Sequence, residues 1–250
     1  MLKIRLPYSA LIIPLWLTLA SSAQALNFIT DRQALNGNDS IDWSSLGKVF
    51  NPFNPNPADF LSNSFTANSA QGLGLEVDIP LPASGITPPF VFQTANPPIG
   101  IPTNFANGDF ILLTGLTPMV FPSPGNPGAL SISFAQPVRA AGTQIAVDDV
   151  FNFTGFISAY DVNNSLLGTF SLFGISSLAL DNSAIFLGVS STNAEIKRIE
   201  ISSSVSDRAI GINTLSINNP AVPESSSSLM FIVVGVGLLV LKTRRKGNIL

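Results

Sequence analysis

The chain of 250 residues contains no cysteine. That removes disulfides, thiolate metal sites and cysteine nucleophiles together, so stability has to come from a buried core. Histidine is absent as well. With it go the commonest general base and metal ligand, the Ser-His-Asp triad and zinc sites of the HExxH kind. Charge is sparse, at 11% of residues against 46% hydrophobic ones. Between Leu26 and Ala221 six Lys and Arg stand against fourteen Asp and Glu, a net of eight negative charges that repels phosphate backbones and argues against nucleic acid as a partner. What is plentiful is glycine and proline, 19 of each, the mark of a turn-rich β protein rather than a helix bundle.

The remaining six basic residues lie in the first five and last nine positions, where they flank the two most apolar segments of the chain. Lys3 and Arg5 precede an apolar stretch from Leu6 to Ala20, followed by "SSAQA". Ala23 and Ala25 fit the small-residue cleavage pattern of a secretory signal peptide, which predicts export and a mature chain beginning at Leu26. At the other end, Leu229 to Leu241 is an apolar run of thirteen residues. As a helix it reaches about 20 Å, short of the roughly 30 Å hydrocarbon core. The serines before it and the snorkelling side chains of Lys242, Arg244, Arg245 and Lys246 make up the length. Basic flanks stay in the cytoplasm, so this helix is expected to anchor the chain in the inner membrane with its body facing outward.

The order Val222-Pro223-Glu224, then serines, then a short apolar helix, then a basic cluster closely resembles the PEP-CTERM sorting signal of exported bacterial proteins. The resemblance covers about the last thirty residues. It implies recognition by exosortase, a multi-pass membrane protease or transpeptidase-like enzyme, and sorting toward the cell surface or extracellular matrix in bacteria that also export polysaccharide. Val222, Pro223 and Glu224 match the V-P-E core, while Ser225 stands where a second proline is most frequent, a departure that bears on the efficiency of processing. Pro220 and Pro223 favour an extended backbone that a protease can reach.

Between the ends, short runs alternate apolar and polar residues, separated by Gly, Pro and Asn. "LSISFAQ" sets Leu130, Ile132 and Phe134 on one face. In "EIKRIEISS" Ile196 is out of step with Ile199 and Ile201, which predicts a bulge. "FISAYDVNNSLLGTFSLF" reads as a hairpin turning around Val162 to Ser165. Further strands are expected near 64–79, 110–116, 140–147, 184–189 and 210–217. The proline-punctuated segments 51–57, 80–102 and 118–127 are expected to be surface loops unable to form central strands. Strands at this spacing predict an all-β fold, an antiparallel β-sandwich of jelly-roll-like form. The segments "FAQPVRAAGTQIAV", "FISAYDVNNSLLGTF", "FLGVSSTNAEIKRIEIS" and "AIGINTLSI" also resemble the β-rich ectodomain of many PEP-CTERM proteins. The expected organisation is a signal peptide over 1–25, an ectodomain over 26–219, a linker with the sorting motif over 220–228, a transmembrane helix over 229–241 and a basic cytoplasmic tail over 242–250.

Without His or Cys, carboxylate pairs and Ser-Lys arrangements are the remaining catalytic groups. Asp148 and Asp149 adjoin at a strand end, where extended backbone sends them to opposite faces and keeps them from flanking one bond. Glu76, Glu195 and Glu200, the glutamates of the body, mark no cleft. The body is therefore expected not to be an enzyme and to need no cofactor. Calcium, through Asp148 and Asp149 with Asp161 and Asn213, competes with the ordinary use of Asp and Asn in turns. Carbohydrate platforms stack sugars on exposed aromatics, and the mature chain keeps only Trp43 and Tyr160 for this. Of the two, Trp43 fits a core or rim position at the first strand better than a platform. Two functions remain: a non-enzymatic surface or matrix protein, partnered by the translocon, signal peptidase, membrane and exosortase, or a carbohydrate-binding module acting on exopolysaccharide.

Overall fold

A computed structural model of the chain describes residues 26–118 and 122–220. The expected signal peptide with Ala23 and Ala25, the motif Val222-Pro223-Glu224, the apolar run 229–241 and the cations Lys242, Arg244, Arg245 and Lys246 lie outside the described residues. Among the described residues no helix is long and apolar enough to cross a membrane.

The strands are β1 (Asn27–Ile29), β2 (Asp39–Ile41), β3 (Ser64–Asn68), β4 (Gly74–Asp78), β5 (Phe90–Gln93), β6 (Phe110–Leu113), β7 (Leu130–Val138), β8 (Ala140–Val147), β9 (Asn152–Tyr160), β10 (Leu166–Ile175), β11 (Ile185–Ser190), β12 (Ile196–Ser203), β13 (Ile210–Ile212) and β14 (Leu215–Asn218). They form two antiparallel sheets packed as a β-sandwich. The larger runs β1-β11-β8-β13-β6-β5, with β14 on β8 and β2 on β14; the smaller runs β10-β9-β12-β7-β4-β3. The central pairs are nested in sequence: β9 with β10, β8 with β11, β7 with β12 and β6 with β13. Successive pairs fall in alternate sheets, so one long hairpin is rolled across both layers.

Alternation in the sequence decides which side chains fill the space between the layers. Leu130, Ile132 and Phe134 of β7 are buried together, as the spacing requires, opposite Ile199 and Ile201 of β12 and against Leu75 and Val77 of β4. Each such side chain contributes about 1.5–3 kcal/mol through removal from water. The pairing of β12 with β7 shifts register between Ile196 and Arg198, which returns Ile196 to the buried face. This is the bulge that the misplaced isoleucine predicts. The β9–β10 hairpin turns through Asp161 to Ser165, with Asn164 in the left-handed region at φ 62°. The Asp161 carboxylate accepts the backbone N–H groups of Asn163 and Ser165, each at 2.8 Å.

Three expectations change. The proline-rich segment 80–102 holds a strand, β5, but at the end of the larger sheet, where it pairs only with β6 and no second ladder demands the missing proline N–H groups. The stretch 210–217 is two strands, interrupted at Asn213 and Thr214. Trp43 belongs to no strand: it opens a one-turn 3-10 helix (Trp43–Leu46) that Asp42 caps by accepting the Ser44 N–H at 2.8 Å.

The beginning of the described chain is laced to its end. Arg32 Nη1 donates to the Thr214 carbonyl at 2.7 Å, Asn218 Nδ2 to the Asn36 carbonyl at 2.7 Å, and the Asn219 N–H to Asn38 Oδ1 at 2.8 Å. β2 pairs with β14 in the same region.

Candidate functional site

The interruption between β13 and β14 opens a polar cleft on the larger sheet. It encloses about 660 Å³ and is lined by Arg32, Asp39, Gln71, Asp109, Gln144 and Asn182 around Asn213. Asn213 is buried, and its carboxamide organises the floor. Its Oδ1 accepts from Arg32 Nη2 at 2.8 Å and from the Gln144 N–H at 3.1 Å, while its Nδ2 donates to Asp109 Oδ2 at 2.9 Å and to Gln144 Oε1 at 2.6 Å. Thr143 Oγ1 also lies 3.3 Å from Oδ1, so the amide oxygen has three partners and the amide nitrogen two, which fixes the orientation of the group.

Arg32 forms one wall. Its Nη1 also reaches Ser216 Oγ at 2.6 Å, and its guanidinium lies 5.2 Å from the centre of the Phe186 ring. Burial pulls its pKa downward, and the negative charge of Asp109 pushes it back up. Gln144 Nε2 donates to Asn182 Oδ1 at 2.9 Å and to the Ala184 carbonyl at 3.0 Å, tying the far wall to β8. The Asp39 carboxylate is occupied by the N–H groups of Ser40 and Gln71 and by Ser69 Oγ. What the cleft offers a ligand is thus a mixture of amide, guanidinium and carboxylate groups, with Asp109 Oδ1 engaged in no hydrogen bond among the described residues.

Neither aromatic candidate lies in this cleft. Trp43 is 0% exposed and its Nε1 donates to the Asn213 carbonyl at 2.8 Å beneath the floor, so it has no face on which a sugar could stack. The core position that the sequence favours for Trp43 holds, and its candidacy as a glycan contact falls. Tyr160 is half-buried at the end of β9, on the smaller sheet, with the Arg198 guanidinium 3.7 Å from its ring centre. Arg198 is itself held by Asn164 Oδ1 at 2.7 Å and Glu200 Oε2 at 3.0 Å, so that face of the ring is closed.

The acidic candidates do not converge. β8 ends at Val147, and Asp149 follows in the left-handed region at φ 69°, so the alternation expected to separate Asp148 from Asp149 does not apply to them. They are close enough that the charge on Asp149 affects Asp148. Burial first, and Asp149 second, push the Asp148 carboxyl up to about 6, partly opposed by the Asp149 N–H and by Arg208. Asp161 serves its turn, whose N–H groups hold its carboxyl below the usual range, and Asn213 is committed to the cleft floor. Among the described residues no group of three acidic side chains is placed to hold a metal ion.

No family model matches the chain, and no curated protein does. Among solved structures, a DUF4465 family protein from Bacteroides caccae aligns with 77% of this chain and 100% of its own, at a TM-score of 0.37 and 12% identity. CsCBM6-3 from Clostridium stercorarium, solved in complex with cellobiose, aligns with 70% of this chain and 99% of its own, at a TM-score of 0.21 and 10% identity. Both superpose too loosely to bear on function. The sandwich rests on the strand pairing itself.

Proposed function

We propose that the chain is a non-enzymatic protein of the cell surface or extracellular matrix, exported by residues 1–25 and sorted by a tail that exosortase recognises and cuts. One junction carries this reading. Among the described residues the folded body, a sandwich whose nested pairing supports the jelly-roll form, is tied as far as Asn219 through Asn38, and the Val222-Pro223-Glu224 motif begins three residues later. A cut there separates anchor from domain without touching the core. Intact mass measurement on protein recovered from cells with and without exosortase tests it. The expected product ends near Glu224 only when the enzyme is present, and Glu224→Ala reduces its yield while the β circular dichroism of the body is unchanged. Full-length protein in both samples would leave a plain membrane anchor instead.

The polar cleft favours a second reading for the body, a carbohydrate-binding module acting on exopolysaccharide. Sugar hydroxyls donate and accept at once, and the mixed groups around Asn213 answer both demands. Isothermal titration with the host's polysaccharide is expected to show heat that weakens about tenfold in affinity with Asp109→Asn, the loss of one charge-assisted hydrogen bond, and is unmoved by Tyr160→Ala. No heat, or heat indifferent to Asp109, removes this reading and leaves the sorting proposal standing.

A further inference from the structure

The smaller sheet ends in a long strand with no further strand on its outer side among the described residues. Among the described strands β10 pairs with β9 alone. The Ile175 carbonyl at its far end accepts from Asn104 Nδ2 at 3.0 Å, and its near end carries the register shift between Leu166 and Gly168. Between these two points, from Gly168 to Gly174, no backbone group makes a hydrogen bond outside the β9 pairing among the described residues. Every second residue there turns its N–H and C=O outward.

Exposed edges are ordinarily kept short or are blunted with charge, proline or a bulge. The other outer strands follow that rule: β1 and β2 have three residues each, β3 five, and β5 four within a proline-rich segment. β10 has ten residues, "LLGTFSLFGI", with no charge and no proline, and its neighbour β9, "NFTGFISAY", has neither. Phe173 and Ile175 stand 59% and 54% exposed on the same face. This strip is neutral in a body that is otherwise acidic, so it is where two identical negative surfaces can meet without setting like charges against each other.

We infer that β10 is a self-association edge, through which two copies of this chain pair antiparallel about a two-fold axis and join their smaller sheets. A two-fold makes the strand its own complement, since each copy presents the same patch. Opposed residues in a continuous sheet point to the same face, so residues of equal parity must meet. The unpartnered stretch Gly168–Gly174 has its midpoint at Ser171. Ser171 therefore meets Ser171 of the second copy, and Thr169 meets Phe173, which covers the exposed ring.

The register makes a charge-swap test available. In the full chain in mild detergent, Ser171→Lys and Ser171→Glu each set like charges directly opposite, and each is expected to weaken dimerisation about tenfold by sedimentation. Mixing the two variants places Lys against Glu and is expected to restore wild-type association. Unchanged circular dichroism shows that each variant is folded. A wild-type chain that stays monomeric, variants that dimerise like wild type, or a mixture that fails to recover each overturns the pairing.

Discussion

Trp43→Ala is expected to destabilise the body by about 3–5 kcal/mol, the range for removing a large aromatic side chain from a packed core. The indole is completely enclosed and reaches from the 3-10 turn at Trp43–Leu46 to the carbonyl of Asn213. Removing it leaves a cavity under the cleft floor and takes one donor from a carbonyl that keeps Thr143 Oγ1 at 3.0 Å. Trp43→Phe retains most of the apolar volume and is expected to cost much less, with about 1 kcal/mol from the lost hydrogen bond. Urea unfolding measures both: the midpoint should fall sharply for the alanine variant with its slope preserved. A loss under about 1 kcal/mol would mean that the indole is not the core residue described. The result also governs how sugar-binding tests are read, because Trp43→Ala disturbs the cleft floor at Asn213, so that weaker binding in this variant does not make the indole a ligand contact.

Asp148→Asn is expected to stabilise the body at neutral pH by about 2–3 kcal/mol and to have little effect at pH 4. Folded Asp148 holds its proton up to about pH 6, because it is half-buried and Asp149 lies beside it. An unfolded aspartate releases its proton near pH 4, at about 3.9. Over that interval the folded state binds more protons than the unfolded one, so the stability owed to this group is full below about pH 4 and is lost as the pH climbs to about 6. Asparagine keeps the oxygen that accepts the Asp149 N–H and has no charge to desolvate. Urea midpoints of both proteins at pH 4 and pH 7 decide it. An equal difference at the two pH values would place the effect elsewhere than in this ionisation.

Strand alternation carried most of the fold. Period-two spacing located β7, β9, β10 and β12, and a single misplaced isoleucine revealed the bulge in β12, because burial on one face leaves no other register. β1 and β2 are three residues each, too short for alternation to register, and β5 was hidden by the prolines around it. The cleft was not legible. Its walls come from residues 32, 109, 144, 182 and 213, brought together by hydrogen bonds such as Arg32 to Asn213 that span most of the chain. The one local signal was polar Asn213-Thr214 inside "GINTLSI", where an unbroken strand would alternate. Trp43 is the favoured core residue, because enclosure and not residue type decides whether an indole is platform or core.

The lacing of residues 32–41 to residues 213–219 sets a timetable for the molecule. An emerging chain cannot finish its larger sheet until β14 has appeared, since contacts so distant in sequence close last. On the proposed export route, maturation outside the membrane therefore completes only as the sorting motif itself comes into view. A premature scission upstream of β14 would leave residues 32–41 without their seam, whereas one at the motif releases a finished object.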